Sequence, residues 1–182
     1  AMDGDRRYVV LTAVGPDRPG LVNQLSSLIR EAGASIEDSR MAILGGEFAV
    51  ILLISGPPGT VERAREIGSP IEDGLGLRCL LKETSPAHPR SDYLLYHLEV
   101  SGADRQGIVQ AIAAILAGRG INVASLESRL SYAPFSATPM FVLEADLQVP
   151  SKTVLSELRS ELATTCEDEN LDFRLKAGAQ HA

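Results

Sequence analysis

The sequence predicts an α+β protein made of two units with the same βαββαβ order of elements. Three observations support this prediction: the chain repeats itself, each copy alternates strand-like and helix-like hydrophobic patterns, and the composition is that of a folded protein. The 182 residues are 45% hydrophobic and 23% charged, which excludes a largely disordered chain. Each half of this length can bury about 64% of its extended surface, so two small domains are feasible.

The repeat is clearest where residues 15–20, GPDRPG, align with residues 102–107, GADRQG. The offset of 87 residues continues without gaps through Gly33, and from Asp17 to Ile36 half of the positions are identical or exchange one aliphatic residue for another. Matching residues at matching spacing indicate an internal duplication. Further along, Phe48 aligns with Phe141, so the offset becomes 93 residues and the second copy carries six extra residues in a loop between its middle strands.

The first strand and helix of each copy follow from local patterns. The runs 8–14 and 93–100 are strand-like and end in glycine-containing turns. Apolar residues then recur at helical spacing, from Leu21 in the first copy and from Ile108 in the second. Pro19 suits the first turn of a helix, and a glycine can end each helix.

The remaining elements complete each unit. Strands are predicted at 34–43 and 47–54 in the first copy, joined by the Gly45–Gly46 hairpin signal, and at 121–130 and 140–149 in the second. A clear helix spans 154–163, whereas its counterpart at 61–67 is shorter and is interrupted by Gly68, Ser69 and Pro70. Strands at 77–81 and 171–175 close the units.

This order of elements is typical of the ferredoxin-like double split βαβ fold, in which an antiparallel sheet carries both helices on one face. The expected domains are residues 6–83 and 92–177. Residues 84–91 form the linker, because Pro86 and Pro89 disfavour both helix and strand.

The strand 48–54 is apolar on both alternating faces. We therefore expect it to be buried on both sides, through pairing of the two repeats or of two chains, and a homodimer is one possible outcome. The alternative is an ordinary core strand with no role in association.

Charge and composition exclude several classes of protein. The chain has 17 basic and 24 acidic residues and a net charge of −7, which repels phosphate backbones and anionic lipids. Aromatic residues make up only 4%, which argues against base stacking. No hydrophobic signal segment begins the chain and no apolar run is long enough to span a bilayer. We expect a soluble, cytoplasmic protein that binds neither nucleic acid directly nor membranes.

No catalytic, cofactor or metal site is predicted. The chain lacks a nucleophile elbow, a P-loop, an HExxH motif and a dinucleotide fingerprint. Its three histidines are scattered, at positions 88, 97 and 181, and its carboxylate clusters have no accompanying histidine or cysteine set. Cys79 and Cys166 lie in apolar patterns without CxxC spacing, which favours buried structural thiols.

The turn after the first strand of each copy is the best candidate binding site. A glycine at a helix start lets a ligand approach the backbone, and the first-turn N–H groups and the helix dipole favour an anion. The expected donors to a ligand carboxylate are Gly20, Leu21 and Val22 in the first copy and Gly107, Ile108 and Val109 in the second. Asp17 and Asp104 either accept hydrogen bonds from a ligand ammonium group or cap the loop.

A second candidate contact lies at the start of the second strand of each copy. Asn122 can donate and accept hydrogen bonds, and we expect its strand to begin beside the helix-start loop, although a turn-stabilising role is equally open. Ser35 takes this place in the first copy and reaches less far, which favours the second copy as the binding site.

The segments GPDRPGLV, GASIEDSRM, GGEFAVILLIS, GADRQGIV, GINVASLESR and PFSATPMF resemble tandem ACT domains, and in particular the glycine cleavage system transcriptional repressor group. The resemblance covers residues 7–177. It implies a regulatory module that binds a small molecule, usually an amino acid such as glycine or serine, at an ACT–ACT interface. It also implies that the ligand contacts the backbone after the first strand and the Asn122 position.

The same resemblance implies a non-enzymatic protein that acts on a LysR-type transcriptional activator by protein contact rather than by binding DNA itself. The acidic charge agrees with this expectation. The alternative is a ligand-independent scaffold that only docks a regulator or a second copy of itself.

Overall fold

The structure is a computed structural model that describes residues 5–86, 91–103, 106–132, 135 and 138–178. The chain divides into two compact units, and the division along the sequence falls between residues 88 and 89. Of the predicted linker, residues 87–90 lie outside the described residues.

Both units have the predicted order of elements. The first consists of β1 (Arg7–Pro16), α1 (Leu21–Glu31), β2 (Ser35–Leu44), β3 (Glu47–Gly56), α2 (Thr60–Glu66), a π-helical segment (Pro70–Gly74) and β4 (Arg78–Thr84). The second consists of β5 (Tyr93–Ala103), α3 (Ile108–Gly118), β6 (Asn122–Tyr132), β7 (Pro139–Pro150), α4 (Leu155–Asp168) and β8 (Leu171–Ala177).

Each unit forms one four-stranded antiparallel sheet, in the order β2-β3-β1-β4 in the first and β6-β7-β5-β8 in the second. This arrangement confirms the predicted α+β, ferredoxin-like fold class. Alternate residues of the central strands face the helices and are buried there, as Leu11 and Leu52 are in the first unit and Leu98 and Leu143 in the second. Each unit therefore has its own core between a sheet and two helices.

Glycines at the ends of the first strands allow a close approach of the closing strands. A Cβ at Gly15 would lie 2.5 Å from the carbonyl oxygen of Gly76, and a Cβ at Gly102 would lie 2.7 Å from that of Asn170. No side chain fits at these distances, so the duplicated glycine has the same packing role in both units.

Glycines also end the first helices. Gly33 and Gly120 have positive φ values of 73° and 65°. After each, the next residue donates a backbone hydrogen bond back into the helix, from Ala34 to Ile29 at 3.2 Å in the first unit. This is the Schellman arrangement, which turns the chain sharply into the next strand.

The two hairpins differ as the sequence predicts. In the first unit, Gly45 and Gly46 have positive φ values and form the turn that connects the paired residues Leu44 and Glu47. In the second unit the aligned pair is Ser131 and Met140, and the strands continue by one more pair, Tyr132 and Pro139. Residues 133, 134, 136 and 137 of this longer loop lie outside the described residues.

The second helix of the first unit departs from the prediction. The chain forms a turn at Ile67, but helical structure resumes at Gly68 and continues through the π-helical segment Pro70–Gly74. Pro70 is compatible with this because it occupies the first turn of the new segment, where its missing N–H is not needed. The buried Ile71 anchors the segment in the core.

Within the first unit itself, one face of β3 packs against the helices. Phe48, Val50, Leu52 and Ile54 are buried against the helices, but Ile51 on the opposite face is 47% exposed. The apolar alternation therefore reflects one core face and one partly open face. A homodimer that covers the open face stays a prediction.

Both cysteines are free thiols. Cys166 is buried in the core of the second unit, and Cys79 is half-buried in β4. Burial raises the pKa of the Cys166 thiol, with a smaller contribution from Asp172, and burial together with Glu72 raises the pKa of the Cys79 thiol. These thiols are thus held in their unreactive protonated form, as structural cysteines are.

Substitution of Gly102 tests the close approach of β5 and β8. We expect Gly102→Ala to lower the free energy of unfolding by about 2 kcal/mol, because the new methyl group must displace backbone. Gly118→Ala is the matched control: apart from its chain neighbours and the backbone of its own helix, no atom of the described chain lies within 4 Å of its added Cβ, and alanine favours a helix, so its stability should be unchanged or slightly raised. Urea unfolding measures both. Equal stability of the two variants would contradict the packing role of Gly102.

Thiol reactivity tests the environments of the cysteines. Because folding raises both pKa values, the folded chain at pH 8 should react with a thiol reagent about tenfold or more slowly than the urea-unfolded chain, with Cys166 the slower of the two. The rate should increase as the pH rises through the alkaline range, where the thiolates form and the stabilisation from these thiols is lost. Equal rates for the folded and unfolded chains would show that the thiols are accessible.

Candidate functional site

The turn between β1 and α1 is anchored at both ends. The Asp17 N–H donates to the Gly46 carbonyl oxygen at 3.0 Å, which ties the turn to the tip of the β2–β3 hairpin. Gly20 precedes the helix in the left-handed conformation, with φ 91° and ψ −7°, and a side chain there would strain the backbone. The turn therefore has one defined path into α1.

The start of α1 presents free backbone donors. The first helical hydrogen bond runs from the Gln24 N–H to the Gly20 carbonyl oxygen at 3.0 Å. The N–H groups of Leu21, Val22 and Asn23 precede it and have no partner within the helix. No side chain in the described part of the chain caps this end. The turn thus offers an uncapped helix N-terminus, which favours an anion.

These donors open onto a cavity of about 970 Å³. One wall is the turn itself with the first residues of α1, and the opposite wall is the end of β2 with Phe48 of β3. The polar side chains of Asn23 and Ser26 and the apolar side chains of Met41 and Ile43 are part of the lining. The complete lining is Asp17, Arg18, Pro19, Gly20, Leu21, Val22, Asn23, Ser26, Met41, Ala42, Ile43 and Phe48.

The two charged residues of the turn differ in their contacts. The Arg18 guanidinium donates to the Gln24 side-chain oxygen at 2.9 Å, so it is held along the helix. The exposed Asp17 carboxylate has no hydrogen-bond or ion-pair partner among the residues that the structure describes, and it does not cap α1. Of the two roles predicted for Asp17, capping of the loop is therefore not observed, and contact with a ligand ammonium group stays a prediction.

The corresponding turn of the second unit has the same backbone geometry. Gly107 is left-handed, with φ 92° and ψ 2°, and the Ala111 N–H donates to its carbonyl oxygen at 2.9 Å. Ile108 is buried, whereas Val109 is exposed. Asp104, the expected partner of a ligand ammonium group, lies outside the described residues.

Ser35 and Asn122 do not lie beside the turn of their own unit, contrary to the expectation. β1 and β2 both pair antiparallel with β3, so they run parallel to each other and start at the same end of the sheet. At that end, Ser55 of β3 pairs with Ser35 of β2 on one side and with Tyr8 of β1 on the other. The turn follows Pro16, eight residues and roughly 26 Å further along. The same register separates Asn122 from the turn after β5.

The Asn122 side chain is engaged within its own sheet. Its amide nitrogen donates to the Gln148 side-chain oxygen at 2.7 Å across the β6–β7 pair. The Gln148 amide nitrogen lies 3.5 Å from the Tyr93 hydroxyl. The Asn122 side chain therefore contacts the neighbouring strand, and its role in binding a ligand or stabilising the turn stays a prediction.

The cavity residues of β2 and β3 were not among the predicted site residues. Met41, Ile43 and Phe48 reach the site because the β2–β3 hairpin returns to the end of β1. Glu47 pairs both with Pro16 at the end of β1 and with Leu44 at the end of β2. This proximity follows from the fold class once the strand order is known. Asn23 and Ser26 follow from helical spacing after Gly20.

Within the described residues, no helix has the length and apolar character that a membrane span requires.

Comparison with known proteins agrees with this architecture. Residues 7–67, most of the first unit, match the family model of the ACT domain. The sequence is 28% identical to the glycine cleavage system transcriptional repressor of Escherichia coli (strain K12) over 91% of this chain and 87% of that protein. The protein of the same name from Shigella flexneri matches to the same extent.

A solved structure extends the similarity to the whole chain. The crystal structure of an unknown protein from Galdieria sulphuraria is 29% identical, covers 96% of this chain and 100% of that chain, and superposes with a TM-score of 0.80. The second unit has the same elements, strand order and helix-start geometry as the ACT-matching first unit. The chain therefore has two units of the same fold, the first of which matches the ACT domain, and as a whole it is similar to the glycine cleavage system transcriptional repressors.

Proposed function

We propose that this protein is a non-enzymatic regulator that binds a free amino acid at the β1–α1 turn of its first ACT unit. The observation that supports this most directly is the uncapped N-terminus of α1, whose free N–H groups open onto a cavity of about 970 Å³. The resemblance to ACT-domain repressors supports a regulatory role for such a site.

The backbone supplies the carboxylate end of the proposed site. The N–H groups of Leu21 and Val22 act as the donors, and the helix dipole adds to the attraction for the negative charge. Gly20 keeps the approach open, since its Cα carries no side chain and, among the described residues other than its chain neighbours, the nearest atom to a Cβ position is the Gln24 amide nitrogen at 4.0 Å. A ligand carboxylate can therefore reach the amides without displacing a side chain.

The Asp17 carboxylate supplies the partner for the ligand ammonium group. It lines the same cavity as Leu21 and Val22 and is free of other partners among the described residues. A charge-assisted bond to an ammonium group is stronger than a bond between neutral groups. The opposite signs of the helix start and Asp17 match the two charged ends of an amino acid.

The side chain of the ligand would contact the cavity wall opposite α1, which is formed by the end of β2. Met41 and Ile43 are 41% and 59% exposed, so a ligand can cover apolar surface there. Glycine or serine would fill only the part of the cavity next to α1. A ligand shared with the Asn122 or Ser35 position would need a second ACT unit, because neither position is near the turn of its own unit.

We propose further that the ligand changes the binding of the protein to a transcriptional regulator, with a LysR-type activator as the first candidate. The net charge of −7 opposes direct contact with DNA and favours a protein partner. Such control requires that the amino acid bind more tightly to one state of the protein than to another.

Calorimetric titration with glycine, serine and the other amino acids tests the proposed site. At least one amino acid should bind, and Asp17→Asn should weaken its binding about tenfold or more through the loss of the ammonium partner. Glu31→Gln is the matched control, because it removes one exposed carboxylate at the far end of the same helix. Its affinity should match that of the unmodified protein.

A second variant tests the cavity independently of charge. Ile43→Trp places a larger side chain in the exposed wall of the cavity, so binding should be lost while the thermal midpoint of unfolding is kept. Absence of binding heat and of thermal shifts with every amino acid would contradict the proposal. Regulator binding that does not respond to amino acids would favour the scaffold alternative.

A further inference from the structure

The open face of the second sheet carries a group of metal-ligating side chains. His97 and Glu99 lie two residues apart on β5 and share this face, and Glu144 of β7 pairs directly with Glu99. One ligand atom of each of the three residues lies within 4.8 Å of the others. The three side chains are half-buried.

The histidine is held in an orientation that suits a ligand. Its Nδ1 lies 2.8 Å from the Asp146 Oδ1. Because a carboxylate only accepts hydrogen bonds, Nδ1 is the donor in this contact, and Nε2 lies on the other side of the ring, 3.7 Å from the Glu99 Oε1. The Ser125 hydroxyl donates to the other oxygen of Asp146 at 2.9 Å and fixes that carboxylate in turn. This arrangement of carboxylate, histidine and open Nε2 is the usual support of a metal-bound histidine.

The neighbouring charges favour a bound cation. Glu144 lies in register between Glu99 on one side and Glu127 on the other, and like charges directly opposite each other destabilise a sheet. Arg174 of β8 pairs directly with Glu99 on its other side. Lys176 and Arg129 lie 3.8 Å and 4.0 Å from Glu99 and Glu144 respectively, and all three cationic residues are exposed. Such surface ion pairs are weak and easily displaced.

The first unit shows that the fold does not need these side chains. At the same register positions it has Val10 for His97 and Thr12 for Glu99. On the neighbouring strand it has Ile51 for Glu144 and Leu53 for Asp146. The same strands thus carry mostly apolar residues in the first unit and one histidine and three carboxylates in the second.

We propose that His97, Glu99 and Glu144 form a binding site for a divalent first-row transition metal ion such as Zn²⁺. Asp146 acts as a positioning residue. The His97 Nε2 lies 3.7 Å from the Glu99 Oε1, close to the roughly 3.0–3.5 Å that separates two ligands of one zinc ion. A small rotation of the half-buried glutamates brings the third oxygen into range. One nitrogen and two carboxylate ligands suit Zn²⁺ and leave a coordination position open.

Titration with Co²⁺ and Zn²⁺ tests the site in the full chain. Co²⁺ should bind with one ion per chain and a visible absorption band, and Zn²⁺ should displace it. His97→Gln should weaken the affinity about 100-fold or more, and Asp146→Asn about tenfold through the loss of ring orientation. Glu127→Gln is the matched control, because it removes a carboxylate from the same row but not a ligand. Its affinity should stay within about twofold.

A further variant distinguishes loss of the metal site from loss of folding. His97→Val installs the residue that the first unit has at this position, so it should fold, with the thermal midpoint of the metal-free protein, and should not bind Co²⁺. Failure to bind Co²⁺ and Zn²⁺ at millimolar concentration, or binding that is unchanged in both His97 variants, would overturn the proposal. In the second case the ions would be held elsewhere, for example by His88 or His181.

Discussion

The turn that connects the first strand to the first helix constrains each of the two units more than any other local feature. At Gly15 the closing strand begins so close to β1 that no Cβ fits, and at Gly20 the backbone must adopt a left-handed conformation to enter α1. Both requirements recur at Gly102 and Gly107. The core, the position of the helix and the direction of its free amides all follow from this turn, because it sets where α1 begins relative to the sheet.

The two copies separate what the fold requires from what a site requires. The glycines of the turns, the helix ends and the alternating core positions are shared, since each is imposed by backbone geometry or packing. The open faces of the sheets are not shared: the first has Val10 and Ile51 where the second has His97 and Glu144. The open-face positions are therefore the ones at which side chains can change without changing the fold.

Local sequence patterns predicted nearly all the strands and helices, because the repeat offset and the hydrophobic spacing act over a few residues. Relations between distant residues were harder to predict. Asn122 was expected beside the helix-start turn, but the parallel course of β6 and β5 places it at the other end of the sheet. Met41 and Ile43 reach the cavity only because the β2–β3 hairpin returns to the end of β1. His97 lies near Glu144 only because β5 pairs with β7. Strand order is needed to see these contacts.

The central claim is that the backbone amides at the start of α1 hold the carboxylate of an amino acid. The most direct measurement is the change of the amide ¹H and ¹⁵N chemical shifts while the bound amino acid is titrated into the labelled protein. The amides of Leu21, Val22 and Asn23 should show large, saturable shifts with a common affinity, and the Asp17→Asn variant should need higher concentrations to reach them. Saturable binding that leaves these three amides unchanged would place the ligand elsewhere and contradict the account.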